Sequence, residues 1–259
     1  MASRTILGDE LSWSGGAVTR SRTVAVSGLA DDPRYSPVVG KWGAGVVRLG
    51  ANPEQMLALA PDLALLASFT SEEYRVAVAP HVQVLSFGAF TGFEAYRRAL
   101  KRYGMAMGEP ALAAELLREF EAAREKIAAR RDGMWREVSS RPTCMSWSFR
   151  NTAGSGTTFH DAAQLAGCRN HAAMGGVDGH RRVDTEQLLA WNPDYLVIGC
   201  GAVACERARG QLAAKPGMAG LAAVREGRVI TIASPYLSTT GAGMLELARL
   251  IQVGLQEGR

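Results

Sequence analysis

One stretch of this chain occurs twice. Asn52–Leu66 reads Asn-Pro-Glu-Gln-Met-Leu-Ala-Leu-Ala-Pro-Asp-Leu-Ala-Leu-Leu, and Asp184–Ile198 reads Asp-Thr-Glu-Gln-Leu-Leu-Ala-Trp-Asn-Pro-Asp-Tyr-Leu-Val-Ile. In both copies Glu-Gln, an apolar residue and Leu-Ala lead to Pro-Asp and an apolar run. Glu54 and Glu186 stand the same distance ahead of Pro61 and Pro193. Asn52 and Asp184 are residues that cap a helix N-terminus through a side-chain oxygen. Each proline stops its helix. An apolar run with no polar alternation is the signature of a strand buried on both faces, as in a parallel sheet. A helix that feeds a strand twice, far apart in the chain, predicts two similar α/β lobes.

The remaining segments fit that plan. Thr23–Ser27, Leu63–Ala67 and Val82–Phe87 read as strands of the first lobe, followed by a helix over Gly92–Tyr103. Thr143–Ser148, Leu196–Gly199 and Val229–Ala233 read as strands of the second, with helices over Thr158–Ala166 and Gly241–Leu255. Strands alternating with helices predict parallel sheets covered on both faces. Between the lobes, Pro110–Val138 has apolar residues at helical spacing (Leu112, Leu116, Leu117, Phe120, Ile127, Trp135) and no internal proline. It reads as one long helix on the order of 40 Å. The alternative is two helices broken near Asp132-Gly133. The expected organisation is therefore residues 1–109 as an N-terminal α/β lobe, 110–138 as a bridging helix and 139–259 as a C-terminal α/β lobe.

Composition narrows the function. Of 259 residues, 47% are hydrophobic and 21% charged, the balance of a globular chain. No apolar run reaches the roughly 18 residues of a membrane span. Lys+Arg exceed Asp+Glu by 29 − 25 = 4, a scattered excess without the basic face of a nucleic-acid binder. Cys144, Cys168, Cys200 and Cys205 read as too few and too scattered for a disulfide framework. Cys200 and Cys205 are close enough for a local bridge, and buried free thiols are the other reading. His81, His160, His171 and His180 lack zinc-ligand spacing. His171 and His180 flank the Gly-rich stretch Gly175–Gly179, read as an exposed loop. Gly154-Ser-Gly-Thr157 lacks the lysine of a phosphate loop and reads as a turn into a helix. No nucleophile elbow is present, so no catalytic residue is expected.

The order of these motifs resembles the periplasmic substrate-binding proteins of ABC importers for vitamin B12, ferric siderophores and haem. The resemblance is carried by Gly8-Asp9-Glu10-Leu11, Val24–Ser27 with Leu29–Ser36, and Pro53-Glu54-Gln55 with Leu59–Leu63. In the second half it continues through Gly154–Thr157, Leu165-Ala166-Gly167, Asn170, Glu186, Pro193-Asp194 and Ala222–Val229. Arg4–Leu7 is a thin version of the family's first strand. Ser12–Thr19 is Gly- and Ser-rich where a helix belongs, and His160, Cys168 and His171 replace more ordinary residues. The resemblance implies two Rossmann-like lobes joined by a single long backbone helix, closing over a ligand between them.

Several residue roles follow from the resemblance. Glu54 and Glu186 would dock onto arginines of the permease. Trp42, Phe69, Phe87, Trp147, Phe149, Arg150 and Tyr236 would meet the ligand. That ligand would be a cobalamin-like corrinoid or a ferric siderophore, with haem third. No intrinsic cofactor or metal is expected, but for haem cargo Tyr236 and His160 would be the axial candidates. The protein would be a monomer, partnered by the permease and the chelate, with no nucleic acid and no transmembrane segment. It would be periplasmic or lipid-anchored if a signal peptide preceded Met1, and cytoplasmic if Met1 is the native start. The competing reading is a cytoplasmic enzyme or carrier of a tetrapyrrole or metal cofactor on a similar two-lobed fold.

Overall fold

The computed structural model describes residues 5–7, 20–67, 70–87, 91–136, 141–148, 150–201, 205–239 and 241–258. The chain divides into two compact units, Met1–Phe90 with Glu94–Glu119, and Thr91–Phe93 with Phe120–Arg259.

The first unit holds β1 (Thr5–Leu7), β2 (Thr23–Ser27), β3 (Val47–Leu49), α1 (Pro53–Leu57), β4 (Leu63–Ala67), α2 (Glu72–Val78), β5 (Gln83–Phe87) and most of α3 (Phe93–Ala106). Its sheet runs β3-β2-β1-β4-β5, parallel throughout. Thr5–Leu7, from the stretch read as a thin first strand, is thus the middle strand of the sheet. Ala25, Leu49, Met56, Ala64, Leu66, Val78 and Val82 form the core on one face.

A long helix, α4 (Pro110–Met134), is continuous through Asp132-Gly133. It ends before the expected Val138, and residues 137–140 lie outside the described set. The boundary between units falls inside it, so the helix is not a body of its own. Ala113, near its start, packs against Gly104 of the first unit. Phe120 meets Phe93 edge-on at 5.7 Å in the second unit. There the buried Gln252 also donates to the Ile127 carbonyl at 3.1 Å.

The second unit continues with β6 (Thr143–Ser146), β7 (Asn151–Ala153), α5 (Thr158–Ala166), β8 (Arg169–Asn170), α6 (His171–Met174), β9 (His180–Arg182), α7 (Thr185–Trp191), β10 (Tyr195–Cys200), α8 (Cys205–Ala213), α9 (Ala222–Arg225), β11 (Val229–Ala233), α10 (Ser234–Leu237) and α11 (Gly243–Glu257). Its parallel sheet runs β11-β10-β6-β8, and β7 and β9 form a separate antiparallel ribbon. β6 stops at Ser146, two residues short of the expected strand. The Ser146 hydroxyl accepts from the Ala153 N–H at 3.0 Å, so this serine faces inward.

The two repeat copies fold alike. Asn52 Oδ1 accepts from Glu54 N–H at 2.9 Å, and Asp184 Oδ1 from Gln187 N–H at 2.8 Å. Ala60 and Asn192, each just before the proline, both have φ of 44°. This left-handed step turns the chain from helix into strand, a refinement of the stop read from proline alone. Both repeat strands are interior, β4 between β1 and β5, β10 between β6 and β11. Asp194, of the second Pro-Asp, accepts from Thr143 N–H at 2.7 Å and Thr143 Oγ1 at 2.8 Å, tying β10 to the start of β6.

The cysteines overturn the reading of them as too scattered for a framework. Cys144 bridges Cys168 and Cys200 bridges Cys205, with Cα separations of 5.8 and 5.0 Å. The β6–β8 pairing sets Cys144 opposite Asn170, which brings Cys168 alongside. Both separations suit a disulfide.

Two stability outcomes follow from these features. Replacing Cys144 and Cys168 together by serine should cost about 3 kcal/mol, since the bridge spans 24 positions. Denaturant unfolding monitored on the second unit reads this, and an unchanged midpoint would refute it. An alanine in the left-handed region costs about 1–2 kcal/mol, partly offset by glycine's extra freedom when unfolded. Ala60→Gly should therefore raise Tm by about 2 °C, whereas a fall in the melting scan would show that the Ala60 methyl carries packing.

Candidate functional site

In an open parallel sheet, ligands lie beyond the carboxyl ends of the strands. The chain places every described candidate ligand residue there. Trp42 lies in the connection after β2, Phe87 ends β5, Trp147 and Arg150 follow β6, and Tyr236 lies on α10 directly after β11. Phe69 and Phe149 lie outside the described residues, as does the side chain of Phe87.

In the first unit the β2–β3 connection is held by one arginine. Arg48 donates from Nε to Asp31 Oδ2 at 2.7 Å and through its other nitrogens to the carbonyls of Trp42, Gly43 and Val46. Asp31 Oδ1 also accepts from Gly40 N–H at 3.3 Å. The Arg48 hydrogen bond holds the Asp31 carboxyl below its ordinary pKa, with the Gly40 amide adding to it. This clasp fixes the turn around Trp42, whose indole is buried at 5% exposure among Val26, Ala30 and Val38. Leu29, Tyr35 and Val39 of the same connection are exposed instead. The clasp escaped the sequence reading because its partners are 17 positions apart with no motif between them.

In the second unit the edge is polar. Trp147 is 6% exposed and belongs to the core with Met145, Val183 and Leu196. Its Nε1 donates to the Val183 carbonyl at 3.4 Å, and the Lys215 ammonium sits 5.3 Å from the ring centre. Ser148 and Asn151 exchange both backbone hydrogen bonds, at 3.0 and 2.8 Å, across residues 149 and 150. Arg150 is exposed, with φ of 64°. Its carbonyl accepts from Val183 N–H at 2.7 Å, which joins the turn to β9. Tyr236 is half-buried.

The histidines take structural places. Thr157 caps α5, accepting from His160 N–H at 3.2 Å and donating to the Gly154 carbonyl at 2.7 Å. This is the turn read in Gly154–Thr157. A side chain at Gly154 would strike the Val177 carbonyl, its Cβ 2.0 Å from the oxygen. His160 Nδ1 lies 3.4 Å from Asn170 Nδ2 and Nε2 2.6 Å from the Gln164 amide, so both ring nitrogens face protein. His171, read as part of an exposed loop, instead opens α6 and is half-buried against Trp191, ring centres 6.2 Å apart. Its Nδ1 is buried without a hydrogen-bond partner. His180 is exposed on β9, not in a loop.

Glu54 and Glu186 are both exposed, each in the first turn of its repeat helix. A carboxylate there favours the helix by roughly 0.3–1 kcal/mol. Among the described residues no group of three or more His, Cys, Asp or Glu side chains is arranged to hold a metal ion. No described helix is long and apolar enough to cross a membrane.

The sequence matches the periplasmic binding protein family over residues 21–236. No curated protein matches it significantly. Solved structures resemble it over nearly its whole length. A periplasmic haem-binding protein from Pseudomonas aeruginosa has TM-score 0.78 and 22% identity, covering 98% of this chain and 92% of that one. An ABC-type Fe3+-hydroxamate transport protein from Saccharomonospora viridis has TM-score 0.76 and 18% identity, covering 98% and 93%. The vitamin B12-binding protein BtuF of Vibrio cholerae has TM-score 0.75 and 16% identity, covering 99% and 98%.

Burial lowers the His171 pKa below its ordinary value. The unfolded chain then binds a proton that the folded one refuses, so stability falls as pH drops below about 6.5 toward the folded pKa. Across pH 7.5 to 5.5, Tm of His171→Gln should fall less than that of the wild type. Parallel curves would assign the acid loss to other groups.

Proposed function

Because this chain belongs to the periplasmic binding protein family, we propose that it is the substrate-binding protein of an ABC importer, taking a bulky metal chelate and handing it to the permease. The observation that carries this reading is the family match over residues 21–236, within which both copies of the repeat lie. Proteins of the same fold bind haem, vitamin B12 or belong to Fe3+-hydroxamate transport. The cargo is accordingly a corrinoid or ferric siderophore, with haem as the third candidate. Trp42, Phe69, Phe87, Trp147, Phe149, Arg150 and Tyr236 supply the ligand edges, and for haem Tyr236 and His160 are the axial candidates. His160 would first have to release its protein partners.

Glu54 and Glu186 are the docking carboxylates. Repeated on equivalent helices, they suit bidentate pairing with arginines of a two-fold symmetric permease. The protein works by binding and release as a monomer, without an intrinsic cofactor. Two disulfides fit an oxidising compartment outside the cytoplasm and oppose the reading of a cytoplasmic enzyme or carrier.

Tryptophan-fluorescence titration with cyanocobalamin, haemin and ferric siderophores tests the binding role. One member should quench saturably with a micromolar or tighter Kd, and no response to any would overturn the reading. In reconstituted transport, Glu54→Ala with Glu186→Ala should abolish uptake while Kd stays unchanged. Loss of chelate binding in that variant would sink the docking assignment.

A further inference from the structure

All four cysteines of the chain are bridged, and the two bridges sit in different surroundings. Cys144 lies on β6, an interior strand, and Cys168 stands beside it just ahead of β8; both are buried. Cys200 ends β10 and is buried, whereas Cys205 opens α8 and is only half-buried. The first bridge has a sequence separation of 24 and the second of 5. A bridge stabilises a fold by restricting the unfolded chain, and does so less over a short span. By reciprocity the fold protects the short-span bridge less against reduction.

The place of Cys205 adds to the difference. The first-turn amides of α8 have no partners within the helix, and together with the helix dipole they favour a thiolate at its first residue. Arg209, one turn on along the same face, is exposed and adds positive charge. Surroundings that stabilise the thiolate stabilise the reduced form, which makes the disulfide easier to reduce. The bridge is also joined to the ligand edge. The Cys200 carbonyl accepts from Ser234 Oγ at 3.1 Å, and Ser234 opens α10, which carries Tyr236. A Cβ at Gly199 would lie 3.1 Å from Ser234 Oγ and 3.4 Å from the Leu237 side chain, so α10 packs directly on the end of β10.

We propose that Cys200–Cys205 is a thiol-exchange site, opened and reclosed in the folded protein by an external thiol, and that the closed bridge holds the ligand edge in its higher-affinity form. The effect on cargo rests on the binding-protein reading above, and the exchange itself does not. A thiolate attacks Sγ of Cys205, the accessible sulfur. The Cys200–Cys205 bond breaks, its electron pair leaves on Cys200, and Cys205 is left in a mixed disulfide. A second thiolate attacks the external sulfur of that mixed disulfide and releases Cys205. In sum, two thiols are oxidised to one external disulfide, the bridge takes up two electrons, and the two protons that the thiols give up pass to Cys200 and Cys205. The reverse exchange, with the external disulfide as oxidant, recloses the bridge.

The exchange is tested by holding the protein in glutathione buffers of rising reducing strength, then alkylating it and weighing its peptides. Cys200 and Cys205 should open at a ratio of squared reduced to oxidised glutathione at least a hundredfold lower than Cys144 and Cys168, with the far-UV circular dichroism unchanged. Cys200→Ser should carry glutathione on Cys205, and Cys205→Ser should leave Cys200 unmodified until the protein unfolds. Opening of both bridges at one ratio, opening only as the dichroism is lost, or an adduct on Cys200 in place of Cys205 would overturn the exchange site. For the cargo, Cys200→Ser with Cys205→Ser represents the open form, because free thiol would itself reduce ferric iron. Wild type reduced and then freed of thiol is the second open form. Titrated with cyanocobalamin, haemin and ferric siderophores, both should bind the chelate that the bridged protein takes at least fivefold more weakly. Equal affinity in open and bridged forms would overturn the effect on cargo. No binding by any form would remove the binding-protein reading and leave the exchange result as it is.

Discussion

A parallel strand can join its neighbours only if the chain leaves at one end of the sheet and re-enters at the other. The interior strands Leu63–Ala67 and Tyr195–Cys200 meet that constraint with the same device. A capped helix runs back along the sheet, a left-handed residue breaks it, and Pro-Asp starts the strand. Leu63–Leu66 and Tyr195–Ile198 are buried without interruption, so their backbone groups have no water to fall back on. Each must therefore enter at the right register. In the second unit Asp194 secures this, since its carboxylate and amide together hold Thr143 at the mouth of the neighbouring strand. The register set at this junction carries through to the other end of the sheet, where Val197 pairs with Ser146.

What could be read in the sequence is what depends on neighbours in the chain. The repeat, its caps, the strands after Pro-Asp and the Thr158–Ala166 helix are local patterns, and the structure keeps their positions to within a residue or two. The features that could not be read depend on partners brought together by the sheet. Cys144 meets Cys168 because β6 lies beside β8, and Asp31 meets Arg48 across the whole β2–β3 connection. β9 has no apolar residue at all, so hydrophobic alternation could not mark it as a strand. His171 lies in a stretch rich in alanine and glycine that resembles a loop. It is the Asn170 cap, accepting from the amides of Ala172 and Ala173, that makes it a helix.

Of the candidate site, the strand ends were legible and the side-chain environments were not. Trp42 and Trp147 follow strand ends, as the pattern requires, yet both indoles are mostly enclosed by their own units. An aromatic after a strand can close the core or face outward, and one dimension of sequence does not separate the two.

Among the described residues three that are not glycine share the left-handed backbone, and they differ in what they gain from it. Asn192 tolerates the conformation by its chemistry, and its Oδ1 accepts from the Ala222 amide at 3.0 Å, so the same residue starts the next helix. Ala60 lacks such a partner and is there because the repeat junction demands the turn. Arg150 has neither excuse. Its carbonyl is fixed by Val183, a bond that any residue would supply, and its side chain is exposed. If the turn alone mattered, glycine would serve it better. The turn that Arg150 closes ties the end of β6 to β7 and β9, so its left-handed step serves the edge of the second unit's sheet and not a helix-to-strand junction like that of Ala60 and Asn192.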